Sequence, residues 1–269
     1  MSIGINKSSG MSSLLQQVQE QQQKVMRQLA AAKRITTAAD DPAGMQIATR
    51  LSSQSTAMQR SINNVYDGLS LAQVAEGGMA SVTDSLQRIR ELAVQAGNGT
   101  LTDADRRNLQ AEATQLREQI QQTIQNTNFG GRPVLNQEGT TRIFAGTEPG
   151  QDIALESRDL SAGPMANLDN LSLSSSAAAR ESLGSLDQMM KFVESERASL
   201  GAAQSRFVTA ARQLMSADEH TQAARSRIED LDFAQGMAAK TRNDILTQSA
   251  LAMQAQANLQ SQQVLGLLR

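Results

Sequence analysis

Both ends of this chain carry the same weak helical signal, and that repetition restricts the fold more than any single motif. Residues 1–35 and 235–269 are rich in Gln and Ala and sparing in charge. Spaced alternately by four and three, Met11, Leu15, Val18, Gln22, Val25, Leu29 and Ala32 form one heptad stripe, and Leu246, Ala250, Met253, Ala257, Gln260, Val264 and Leu267 form another. Ala and Gln dilute each stripe, so neither helix gains enough from burial to stand alone. The two ends are expected to bury these faces against each other and to draw the missing burial from copies of the same chain. Leu15, Val18, Val25, Leu29, Leu246, Met253, Val264 and Leu267 are the expected polymerisation positions.

Composition agrees with helices rather than a large mixed core. Aromatic residues make up 2% of the 269 and Trp is absent, so packing must rely on Leu, Met, Val and Ala. A net charge of −2 leaves no basic footprint for nucleic acid. Cysteine is absent, which leaves the redox compartment open. The first residues, Met1 to Lys7, carry neither the basic region nor the apolar block of a cleavable secretory peptide. Residues 245–268 have no charge, but Gln248, Gln254, Gln256, Asn258, Gln260, Gln262 and Gln263 interrupt the apolar run, so no membrane span is expected.

Reading inward, the first helix is predicted to end near Ile35, and Asp41 before Pro42 caps the next. That second helix carries Ile62, Val65, Leu69, Ala72, Met79, Leu86, Ile89, Leu92 and Ala93 on its apolar face and stops at Gly97-Asn98-Gly99, where Gly and Asn suit a left-handed cap. Thr102 and Asp105 have capping-box spacing and open a third helix with the stripe Leu109, Ala113, Leu116, Ile120 and Ile124. From 126 to 176 glycines and prolines punctuate short segments, with a hairpin expected around Glu148-Pro149-Gly150. Helix resumes near Ala177 with the heptad Leu186, Met190, Val193, Arg197, Leu200, Gln204, Phe207, Ala211 and Leu214, and runs less regularly past Ile228 and Leu231. The expected fold is mainly α: an elongated, coiled-coil-like antiparallel bundle of long helices, one small distal β-hairpin region, and N- and C-terminal helices paired at the inner end. Its expected domains are 1–40 with 235–269, 41–125 with 177–234, and a β and loop region over 126–176.

Ordered blocks in both helical halves resemble bacterial flagellin. Arg34-Ile35, Ala38, Asp40-Asp41, Ala43-Gly44 and Ile47-Ala48 come first, then Asn64, Asp67-Gly68, Ser70 to Gln73 and Glu76-Gly77. Leu86 to Gln95 is similar to the most recognisable flagellin segment. Asn128 to Gly131 with Val134-Leu135, Leu200 to Ala202, Gln204, Arg206-Phe207, Ala224 to Asp230 with Asp232, Gln256 to Asn258 and Val264 to Arg269 complete the series. Two departures stand out. Ala30 to Ala32 replaces a Ser-Ser-Gly type of break, and Leu259 and Ser261 stand where Gln and Pro are common, so both terminal helices are expected to run on with less interruption.

The resemblance implies a structural subunit that self-assembles into the helical filament of the flagellum, the rotating propeller of bacterial swimming, outside the cell. It implies as partners many copies of itself, hook-junction and cap proteins, the flagellar type III export apparatus with its chaperone, and an animal Toll-like receptor contacting Arg88, Leu92, Gln95, Leu109, Glu112 and Gln115. Helix packing is the other reading of those six residues. Ordering the two ends costs about 1–2 kcal/mol per residue in backbone entropy, so the tails are expected to fold only as subunits stack. A hook-filament junction protein and a chemoreceptor-like signalling coil are the alternatives. No catalytic, cofactor or metal site is expected: His220 lacks a His or Cys partner, Asp40 and Asp41 read as capping and turn residues, and Met190 and Met253 read as core.

Overall fold

The computed structural model describes the backbone of residues 3–267 and the side-chain surroundings of residues 13–260. Five long helices run over Ile3–Ala31 (α1), Pro42–Ala96 (α2), Asp103–Asn126 (α3), Ser176–Glu229 (α4) and Phe233–Leu267 (α5). Four short strands, Asn128–Phe129 (β1), Arg132–Pro133 (β2), Gly139–Phe144 (β3) and Asp152–Ser157 (β4), lie between α3 and α4. The chain divides into two compact units, Met1–Ser55 with Glu219–Arg269 and Thr56–Asp218. The sequence suggested three segments. Residues 126–176 do not stand apart because Leu135, Leu155, Leu160, Met165, Leu168 and Leu173 join the same core as the helices of the second unit.

In that second unit, cross-links fix antiparallel packing. Arg88 meets Glu112 and Arg106 meets the Ala96 carbonyl, so α3 runs back along α2. Arg90 with Asp187 and Glu76 with Gln204 set α4 against α2 in the same sense. The core is Val65, Val82, Leu86, Ile89, Leu92, Ile120, Leu186, Met189, Val193 and Phe207 with their neighbours. On α4 the buried row is Leu186, Met189, Val193, Glu196, Leu200, Ala203 and Phe207. The predicted Met190, Arg197 and Gln204 lie one residue off this row and flank it half-buried, because a 4,3 and a 3,4 reading of the same heptad share every other member and differ only in which neighbour faces the core. Glu196 is buried there and is bridged by Arg158 at 3.3 Å, which ties down the segment after β4.

The predicted hairpin forms as β3 paired antiparallel with β4. It lies on α2, where Ser61 donates to the Gly146 carbonyl and a Cβ on Gly68 would meet Ile143 at 2.9 Å. A smaller hairpin, β1 with β2, turns through Gly130 and Gly131 at φ of +58° and +82°, a conformation that favours glycine at both positions. Residues Gly163–Asn170 form a 3-10 segment that the periodicity did not reveal, with Pro164 preset for its first turn.

Helix ends correct three expectations. The α3 capping box of Thr102 and Asp105 is present, and Gly44 N–H donates to Asp41 at the start of α2. Gly97 and Gly99, however, are not left-handed. The α2 carbonyls are instead satisfied by side chains: the Arg106 guanidinium donates to Ala96 and Asn98, and the Ser176 hydroxyl donates to Gly97. The first helix does break without a glycine. It ends at Ala31, and Ala32 sits at φ +52°, which costs about 1–2 kcal/mol for a residue with a Cβ. The helical run through Ile228 and Leu231 also breaks, at Asp230, and Asp232 then caps α5 by accepting from the N–H groups of Ala234 and Gln235. Beyond that cap α5 runs without a break, as the missing Pro suggested.

Candidate functional site

The first unit pairs α1 with α5 and clasps their inner ends. Ala32 accepts from Leu231 N–H at 3.1 Å, Arg34 N–H donates to Glu229 at 2.7 Å, and the Arg34 guanidinium donates to Ile228 at 2.7 Å. These bonds hold Ala32 in its left-handed conformation and tie the two helix breaks to each other. Asp40 locks the same turn: its carboxylate accepts from the N–H and hydroxyl groups of Thr36 and Thr37 and bridges Lys24 at 2.9 Å. Lys24 first, and then Thr36, hold that carboxyl well below the usual carboxylate range. The predicted capping role of Asp40 and Asp41 is therefore what the geometry provides.

On α1 the stripe Leu15, Val18, Gln22, Val25 and Leu29 is half-buried. Gln22 donates to Asp244 of α5 at 2.8 Å, and Leu29 packs so close to Gly236 that a Cβ there would lie 2.9 Å from it. Lys240, then Gln22, lowers the Asp244 carboxyl.

On α5 the covered row is Gly236, Lys240, Asn243, Thr247, Ala250 and Gln254, again spaced by four and three. This is a nearly polar seam. Of the five described members of the expected row only Ala250, 6% exposed, is covered: Leu246 is 46% exposed, Met253 is 58% exposed, and Ala257 and Gln260 are exposed too. Met253 is therefore not a core residue. Met11, Val264 and Leu267 lie outside the residues whose side chains are described. Phe233, Met237, Ile245, Leu251 and Leu259 are exposed as well, as are Leu14 and Met26 of α1. Lys, Asn, Thr and Gln in a helix seam set register at a cost in stability, so the pair is specified but weakly held. The apolar side chains that would hold it point elsewhere.

Among the described residues of this unit, only Ile35, Ala48 and Ala250 are buried apolar side chains. Apolar side chains left uncovered on more than one side of a polar-seamed helix are surface available for protein contact. Among the described residues there is no group of three His, Cys, Asp or Glu able to hold a metal, and no helix is long and apolar enough to cross a membrane. His220 is exposed.

The six residues of the second expected surface differ in exposure. Arg88 lies 2.9 Å from Glu91 and 2.8 Å from Glu112, and these carboxylates raise its guanidinium further above its ordinary range. Gln95 and Gln115 are exposed and Leu109 is half-buried. Leu92 is 2% exposed, so its side chain belongs to the core and leaves the contact set.

Two family models match the chain: the bacterial flagellin N-terminal helical region over residues 5–140 and the bacterial flagellin C-terminal helical region over residues 183–268. The chain belongs to the bacterial flagellin family. This flagellin is 38% identical to the flagellin of Halalkalibacterium halodurans over 247 residues, covering 91% of this chain and 90% of that one. It is 34% identical over 263 residues to the flagellar filament 30.7 kDa core protein of Treponema maltophilum, covering 90% of each. Among solved structures, the Bacillus cereus flagellin superposes with a TM-score of 0.52 at 26% identity, covering 56% of this flagellin and 88% of that chain. A structure described as a flagellar hook-associated protein of Vibrio parahaemolyticus shares the fold, with a TM-score of 0.60 at 16% identity over 71% of this chain and 100% of that one.

Proposed function

We propose that this flagellin, a structural subunit of the flagellar filament, polymerises by completing its first unit with the same unit from neighbouring copies. The observation that carries this reading is the inverted α5 helix: a polar seam toward its own partner and Phe233, Met237, Leu246, Leu251, Met253 and Leu259 facing out. Contacts between unlike faces of identical subunits propagate without closing, which yields a helical polymer. Small Ala, Ser and Gln side chains let neighbouring helices shift slightly, as a filament that turns and bends requires.

The same weakness suits export. Tails that gain little from pairing stay unfolded for passage through the type III apparatus with a chaperone, and fold as subunits add between the hook junction and the cap. Outside the cell, the exposed Arg88, Gln95 and Gln115, with Glu112 and Leu109, present the face offered to an animal Toll-like receptor. The hook-filament junction and signalling-coil readings gain no support from a specific residue.

Deleting Leu246–Arg269 and following seeded growth by electron microscopy tests the proposal. The truncated chain is expected to keep the α2, α3 and α4 core and to form no filaments; long uniform tubes from it would overturn the reading. Hydrogen exchange on purified monomer is expected to find α1 and α5 amides unprotected, and strong protection there would refute folding on assembly.

A further inference from the structure

The bend between α2 and α3 contains the sequence's sole Asn-Gly pair, Asn98-Gly99, and both residues are exposed. Three features converge on it. The Gly99 N–H has no hydrogen-bond acceptor among the described residues, and a Cβ at Gly99 would meet nothing within 4 Å, so this nitrogen is unhindered. The Asn98 side-chain oxygen accepts from Thr100 N–H at 3.2 Å, which arches the amide over the intervening Gly99 peptide and polarises its carbon. Arg106, buried and donating to the Asn98 backbone carbonyl at 2.9 Å, places a cation on the peptide unit that contains the Gly99 nitrogen.

We infer that Asn98 is a self-deamidation site, activated by Thr100 and Arg106. Loss of the Gly99 amide proton to solvent base leaves negative charge shared with the Asn98 carbonyl, where Arg106 stabilises it. The nitrogen electron pair then attacks Asn98 Cγ. A nitrogen–Cγ bond forms, the charge on the side-chain oxygen is held by Thr100 N–H, and the Cγ–Nδ2 bond breaks as ammonia leaves with a proton. The product is a five-membered succinimide. Water opens it at either carbonyl, giving aspartate or isoaspartate at position 98. The isoaspartate product adds a methylene to the main chain and carries the carbonyl away from Arg106. Since Arg106 also caps α2, the change loosens the junction of α2 and α3.

The experiment incubates the full-length protein in mildly alkaline buffer beside the free peptide Glu91–Arg106, then digests the protein with trypsin and follows that same peptide by mass spectrometry; in Arg106→Gln cleavage moves to Arg107 and the peptide followed ends there. Fragment ions separate Asn98 from Gln95. The protein is expected to convert at Asn98 at least as fast as the free peptide. Thr100→Pro, which removes the N–H, and Arg106→Gln are each expected to slow conversion about fivefold to tenfold, the effect of losing one such hydrogen bond in an exposed site. Circular dichroism establishes that the variants remain helical, and Thr100→Pro decides the matter if Arg106→Gln unfolds. An Asn98 still intact when half the free peptide has converted overturns the proposal, as does an unchanged rate in Thr100→Pro.

Discussion

Replacing Leu246 and Met253 together by Ala should leave the monomer intact and cripple assembly. Both side chains are about half exposed, at 46% and 58%, and neither covers the seam that holds α5 to α1. Surface substitutions of this kind change folding stability by about 0.5 kcal/mol or less, and Ala keeps the helical propensity. In the polymer the same side chains are to be buried. Full burial of a Leu or Met is worth about 1.5–3 kcal/mol, so burying the exposed half contributes about 1 kcal/mol each, or about 2 kcal/mol per subunit. At 1.4 kcal/mol per factor of ten, the critical concentration for growth should rise about 20- to 30-fold. Sedimentation of seeded filaments over a dilution series gives that concentration directly, and circular dichroism melting reports on the monomer. A variant that grows at the original critical concentration with an unchanged melt would refute the claim that this face is the assembly surface. A large drop in melting temperature would instead show that the two side chains hold the monomer together.

Further expectations follow from the same geometry. The Asp40 carboxyl is held low by Lys24 and by Thr36, so its contribution to the clasp is complete above the unfolded carboxylate value of about 3.9 and is lost as pH falls through the lower folded value; Asp40→Asn should flatten the acid limb of filament dissociation followed by light scattering against pH. Phe207, fully buried in the second unit, should cost about 3–5 kcal/mol on truncation to Ala, read from urea unfolding. Arg88→Ala removes two exposed ion pairs and should leave the urea midpoint nearly unchanged, while lowering receptor activation by monomer in a reporter-cell assay. Leu92→Ala should lose about 2–5 kcal/mol of stability, and any receptor effect should track that unfolding.

Much of the helical framework is legible because helices start and stop through local chemistry. Asp41-Pro42 and the Thr102–Asp105 box act within four residues of themselves, and the structure has both. The breaks at Ala32 and Asp230 are set by each other through main-chain bonds between segments almost two hundred positions apart, which no window along the chain contains. Asp232 was nonetheless readable as a cap before Phe233. The misplacement of the α5 stripe has a different origin. A heptad of large apolar residues is normally the buried row, and here that row is offered outward while Lys240, Asn243, Thr247 and Gln254 face the partner helix. Periodicity finds a face but does not say which neighbour it meets. Leu92 illustrates the converse: family resemblance marked it as a contact, and only three-dimensional packing reveals it as core.

The polar seam of α5 inverts the customary pattern of mutational tolerance. In an ordinary packed helix the side toward the partner is the least changeable and the outer side drifts freely. Here the partner-facing row contributes little adhesion, while in the proposed polymer the outward Leu, Met and Phe side chains are the ones that meet neighbours of identical sequence. A single change on that outer row therefore appears in every subunit at once, and its effect repeats along the whole polymer. A saturation scan of α5 scored for swimming should find seam positions such as Thr247 and Gln254 permissive and outer positions such as Leu251 and Met253 intolerant.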